Sequence, residues 1–153
     1  MSLVPLNTKL TFLFSFIFIF LFGGSVYGDE PEVKKEYWRN GKLRSETYYK
    51  FGKVEGLETW FYRTGEKLEE VPWKNGKKEG LVTSWNKDGR KKYETHWKNG
   101  NQEGLETTLY ENGVKQSQTH YKNGKKEGLQ TGWYESGEKE HEIYFQEGEE
   151  TNF

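Results

Sequence analysis

The chain has 153 residues, no cysteine, 23 Lys+Arg against 24 Asp+Glu, and a formal net charge of −1. Lysines alternate with glutamates throughout, which excludes the segregated positive field of a nucleic-acid binder, and the missing cysteine excludes disulfides and thiolate chemistry. Only 32% of residues are hydrophobic but 17% are aromatic, whereas disordered segments are typically poor in aromatics.

At the N-terminus, Leu10 to Phe22 is an apolar run preceded by Lys9 and followed by Gly23, Gly24 and Ser25. It is shorter than the ~20 apolar residues of a spanning helix and has the form of a secretory signal. Val26-Tyr27-Gly28 before Asp29 supplies small residues at a cleavage point. Residues 1–28 are therefore read as a signal peptide and the mature chain as exported, to the periplasm, the cell surface or the medium. An uncleaved signal acting as an anchor is the alternative. Residues 29–36, rich in Glu and Lys and containing Pro31, read as a short linker, and 37–153 as one repeat domain.

From Tyr49 to Tyr144 the chain repeats every 24 residues, four times over. The skeleton of the unit is aromatic-Lys-Asn-Gly-Lys-x-Glu-Gly-Leu-x-Thr, then an aromatic and x-x-Gly-x-Lys. A unit this small cannot bury a face alone and must stack on its neighbours. Segments of about seven residues between glycine-centred turns read as two strands per unit. Asn75-Gly76, Asn99-Gly100 and Asn123-Gly124 are strong hairpin signals, because both turn residues tolerate positive φ. First strands are expected near Gly56–Tyr62, Gly80–Asn86, Gly104–Tyr110 and Gly128–Tyr134, with return strands near Lys67–Trp73, Lys91–Trp97, Lys115–Tyr121 and Lys139–Phe145. The fold class is all-β, a single-layer antiparallel meander.

Alternation selects the loop between the two strands of a unit. A two-residue loop at Asp88-Gly89 mixes apolar and polar sets, whereas a three-residue loop ending in Gly89 pairs Trp85 with Lys91. Carried straight along the strands, that register puts Leu57, Leu81, Leu129 and Val71 on one apolar face with Trp73, Trp85, Tyr93, Trp97, Tyr121 and Trp133. Glu58, Glu94, His96, Glu106 and His120 fall on the opposite face. The tryptophans and tyrosines are expected to serve as core in place of missing aliphatics. Trp73, Trp85, Tyr93, Trp97, Tyr121 and Trp133 form the candidate partner-binding face.

Chemistry-bearing groups are sparse. His96 and His120 occupy one repeat position and so lie two strands apart, ~9.5 Å, too far to share an ion held at ~2 Å; His141 points to the other face. Glu55, Glu79, Glu103 and Glu127 form a ladder beside the turn glycines, read as charge-paired turn residues. No nucleophile triad, phosphate loop or cofactor fingerprint is present. The expectation is a non-enzyme with no metal and no cofactor.

The Lys-Asn-Gly-Lys-x-Glu-Gly-Leu block followed by Trp-Tyr-x-x-Gly-x-Lys resembles the MORN-repeat variant of the YwqK-type antitoxin-like proteins, over nearly all of residues 37–148. That resemblance implies a MORN-like meander that scaffolds or binds protein partners without catalysis of its own, and it implies an antitoxin or immunity role as the alternative. A polysaccharide-binding repeat is a further alternative, since envelope-binding repeats also set Trp and Tyr in short hairpins. Protein binding or self-association is the leading expectation, because a single layer encodes nothing to cover its apolar groups.

Overall fold

A computed structural model describes residues 30–151. The expected signal segment lies outside them. Thirteen strands form one sheet: β1 (Glu32–Tyr37), β2 (Leu43–Lys50), β3 (Lys53–Val54), β4 (Gly56–Phe61), β5 (Lys67–Lys74), β6 (Lys77–Lys78), β7 (Gly80–Trp85), β8 (Lys91–Lys98), β9 (Asn101–Leu109), β10 (Lys115–Lys122), β11 (Lys125–Trp133), β12 (Lys139–Gln146) and β13 (Glu149–Thr151). Strands follow one another across the sheet in chain order, each antiparallel to the last, with the short β3 and β6 leading into β4 and β7. The result is an open meander without helix, as the period predicts. β1 begins inside the stretch expected to be a linker, pairing with β2 from Glu32↔Tyr49 to Tyr37↔Leu43.

Both turn types follow from local chemistry. At the Asn-Gly turns, Asn75, Asn99 and Asn123 sit at φ 51–52°, followed by glycines also at positive φ; this is the doubly left-handed loop that matches strand twist. Phe51 and Glu147 hold the same conformation without being Asn or Gly. At the other turns the expected three-residue loop is present. Gly89 N–H donates to the Asn86 carbonyl at 3.0 Å and Asn86 N–H to the Arg90 carbonyl at 2.8 Å, and Trp85 lies opposite Lys91.

One step further along the hairpin the register departs from simple alternation. Ser84 pairs with Tyr93 while Trp85 pairs with Lys91, so Lys92 has no opposite number. The same bulge recurs at Trp60/Phe61, Lys115/Ser117 and Gly132/Trp133. An extra residue in one strand reverses the facing of everything beyond it. The expected single apolar face is therefore divided. Trp73, Tyr93, Trp97 and Tyr121 share one face with Glu58, Val82 and Glu106, while Trp85 and Trp133 share the other with the leucines, His96 and His120.

The buried interior is also not what the composition suggests. Among the described residues Val71 and Val82, each 2% exposed, are the buried hydrophobics, joined by Ser45, Thr47, Thr59, Thr83, Thr95, Thr119 and Thr131, and no tryptophan or tyrosine is with them. In a single layer only a short side chain can be roofed by its neighbours. Small β-branched groups occupy mid-strand positions, and the long aromatics beside them cover those groups while remaining half exposed themselves.

Candidate interaction surface

One face carries an aromatic ladder near the Asn-Gly edge. Tyr49, Trp73, Trp97, Tyr121 and Phe145 recur one per unit, with residues from the neighbouring strand set between them. The Lys78 ammonium lies 4.6 Å from the Trp97 ring centroid and 6.0 Å from that of Trp73, and Lys126 lies 4.6 Å from Phe145. Such cation–π contacts contribute ~0.5–1 kcal/mol each at exposed sites.

Beneath the ladder, carboxylates accept from the rings and their neighbours. Glu58 accepts from Thr47 Oγ1 at 3.0 Å and Trp73 Nε1 at 2.9 Å; Glu106 accepts from the Tyr93 hydroxyl at 2.9 Å and Gln102 Nε2 at 2.7 Å. Burial, then the bond to Glu106, pushes the Tyr93 hydroxyl well above the usual tyrosine range. Burial, with Glu106 nearby, likewise raises Tyr121. Burial raises Glu69 as well, against the pull of Lys78.

The second unit breaks this pattern. Where the first has Thr47 and Glu58, it has Val71 and Val82. Trp97 Nε1, the counterpart of Trp73 Nε1, is accordingly buried with no hydrogen-bond partner. An analogous gap occurs at the three-residue turns. Tyr62 and Tyr110 donate from their hydroxyls to the carbonyls of Trp85 and Trp133, each at 2.8 Å, but the second unit has the shorter Asn86 there, and its buried Nδ2 is unpartnered.

The opposite face presents a row of aliphatic and ring side chains running across the strands. Its cross-strand pairs are Leu57↔Pro72, Leu81↔His96, Leu105↔His120 and Leu129↔Tyr144. Leu57, Leu81 and Leu129 are 43%, 41% and 44% exposed, and Tyr48 and Tyr144 are exposed as well. At its N-terminal end the row borders a cavity of about 430 Å³ lined by Tyr48, Leu57, Glu46 and Pro31. Lys67 lies 5.7 Å from the Trp85 ring and Lys115 5.6 Å from Trp133, so these two tryptophans flank the row on its own face.

The six residues expected to form one binding face thus belong to two. Trp73, Tyr93, Trp97 and Tyr121 are bound into the ladder network or beside it, whereas Trp85 and Trp133 accompany the leucines. What escaped the sequence reading is the bulge that separates the leucines from Trp73, Tyr93, Trp97 and Tyr121.

The glutamate ladder has a structural use. Glu55, Glu79, Glu103 and Glu127 each accept from a turn amide of the following unit, at Asn75, Asn99, Asn123 and Glu147, over 2.5–2.9 Å. The adjacent glycine amides, Gly76, Gly100, Gly124 and Gly148, donate to carbonyls of the preceding unit. These carboxylates, expected to be charge-paired, staple unit to unit through backbone amides. Among the described residues no group of three or more His, Cys, Asp or Glu could hold a metal ion. His141 is on the ladder face, its ring lying where a side chain at Gly132 would be.

Three stretches of the chain, 33–51, 54–75 and 102–123, match the family model described as MORN repeat variant. The meander is MORN-like in sequence as well as in form. No curated protein matches the chain.

Proposed function

We propose that this is an exported, non-catalytic MORN-like scaffold that binds another protein along its leucine row. The observation that carries the reading is the exposure of Leu57, Leu81 and Leu129, in a row that also includes the partly covered Leu105, on a face that nothing else in the described residues covers. Apolar groups left in water together on one face mark an interaction surface. The ladder face is the weaker candidate, because its carboxylates and most of its ring donors are already committed to one another. Export is supported by the Leu10–Phe22 segment, and an N-terminus at Asp29 in the mature protein is the expected mass-spectrometric result.

Leu57, Leu81 and Leu129 are exposed, so changing all three to serine leaves the buried threonine and valine columns intact. Crosslinked pull-down from the native compartment is expected to lose its partner with this variant and keep it with Trp73→Phe. Retention by a folded triple variant would overturn the assignment, and recovery of polysaccharide in place of protein would overturn the partner class.

A further inference from the structure

The two ends of the ribbon are matched to each other. Among the described residues, the outer edge of β1 has no strand partner, and β13 covers only Tyr144–Gln146 of β12, leaving Lys139 to Ile143 with an open edge. Charge differs between these ends. Residues 134–151 carry seven glutamates against one lysine, whereas residues 30–53 carry seven Lys or Arg against four glutamates.

Repeat phase specifies what would sit against β12. Inside the array a return strand meets the first strand of the next unit in a fixed register: Glu69↔Ser84 and Glu70↔Thr83, then Tyr93↔Thr108 and Glu94↔Thr107, then Ser117↔Gly132 and Gln118↔Thr131. One unit further, His141 and Glu142 stand on the return strand. The residues of β1 at the unit positions of Ser84 and Thr83 are Glu36 and Lys35. The junction therefore pairs His141 with Glu36 on one face and Glu142 with Lys35 on the other. Internal junctions place Thr, Ser, Gly or, at Ser45↔Trp60, Trp opposite, none of them charged, so the Glu142–Lys35 charge pair is a property of the two ends.

We propose that copies of this chain associate head to tail, the β1 edge of one adding to the open β12 edge of the next and continuing the meander across the seam. The occupant is a second copy because the register fits at both positions and Glu142 meets the opposite charge of Lys35. A charged edge discourages indiscriminate strand addition, while opposite charges directly across an antiparallel pair are favourable. Lys35 already lies 2.9 Å from Glu46, and Glu142 lies 2.6 Å from Lys139. The seam inserts Lys35 between two carboxylates and so extends an alternating row. A heterologous contact of this kind yields chains of increasing length unless its rotation closes a ring of several copies. The inference is independent of which face holds a partner.

Sedimentation of the full mature protein over a range of concentration and salt tests it. Average mass should rise with concentration beyond that of a dimer and fall as salt is added. Lys35→Glu and Glu142→Lys should each lose the large species at concentrations where the parent forms them, while melting as folded chains. An equimolar mixture of the two variants should regain them, because the carboxylate introduced in one variant then faces the ammonium introduced in the other across the seam. A parent that remains monomeric throughout, or stops at a dimer, overturns the proposal, as does self-association that neither variant changes. Failure of the mixture to recover what both single variants lost assigns those losses to folding and also overturns it.

Discussion

Single residues show where this array departs from its own rule. Phe51 and Glu147 occupy the left-handed turn position that Asn75, Asn99 and Asn123 fill in the other units, and a residue with a full side chain is disfavoured there. Phe51→Asn is expected to stabilise the protein by ~0.5–1 kcal/mol, read as a higher midpoint in urea, with Glu147→Asn acting in the same direction. Glu69 has the opposite problem, a carboxyl whose ionised form burial penalises. A group held above its unfolded value favours folding at low pH, and that contribution disappears as pH rises through the raised value. Glu69→Gln should therefore melt higher than the parent at about pH 7, with the difference closing by about pH 3.5, below the usual carboxylate range. A larger advantage at low pH would contradict the burial account.

Strands and hairpins are where local chemistry and tertiary context meet. Trp73 and Trp97 hold one repeat position, but only Trp73 has an acceptor for its indole N–H, Glu58 at 2.9 Å. Replacement by phenylalanine should cost ~1–2 kcal/mol at Trp73, where it strands a half-buried carboxylate oxygen, and distinctly less at Trp97, where it removes an unsatisfied donor. Equal losses in denaturant unfolding would show that ring volume, not the hydrogen bond, sets the value of this position. Turn types and strand limits were legible in the sequence because Asn-Gly and the isolated glycines act locally. The facing of the leucines was not, because nothing in the alternation of Lys91-Lys92-Tyr93 marks Lys92 as the residue without a partner. That extra residue is tolerated because the glycine turn before it already twists the strand, a tertiary result without a compositional signature. The candidate site inherited the error: four of its six aromatics belong to a hydrogen-bonded or cation-capped ladder or lie beside it, and the exposed leucines are on the opposite face.

At the scale of the whole molecule, stability is a sum over neighbouring units. Deleting Trp73–His96 removes one full period and joins Pro72 to Trp97 in phase, so a shorter folded protein is expected. Gly100→Val should be more damaging. Gly100 sits at φ +85°, where a β-branched residue is strained, and its amide bonds the Lys78 carbonyl of the preceding unit. Strain there costs on the order of 1–3 kcal/mol at a turn shared by two hairpins. Circular dichroism and thermal melting on both variants decide the order. An unfolded deletion beside a Gly100→Val protein that melts like the parent would refute both the period and the turn.

The succession of strands in chain order has a mechanical meaning. Tension applied at the two ends of the ribbon acts across the strands, so it opens each hydrogen-bonded ladder bond by bond rather than shearing all its bonds together. Each unit can then peel without waiting for the rest, held first by its glutamate-to-turn staple, and each release lengthens the chain by roughly 70 Å, the extended length of one period less the width of two strands. Pulled in this way the ribbon is expected to yield unit by unit, and a single rupture of the whole array in force spectroscopy would contradict that expectation.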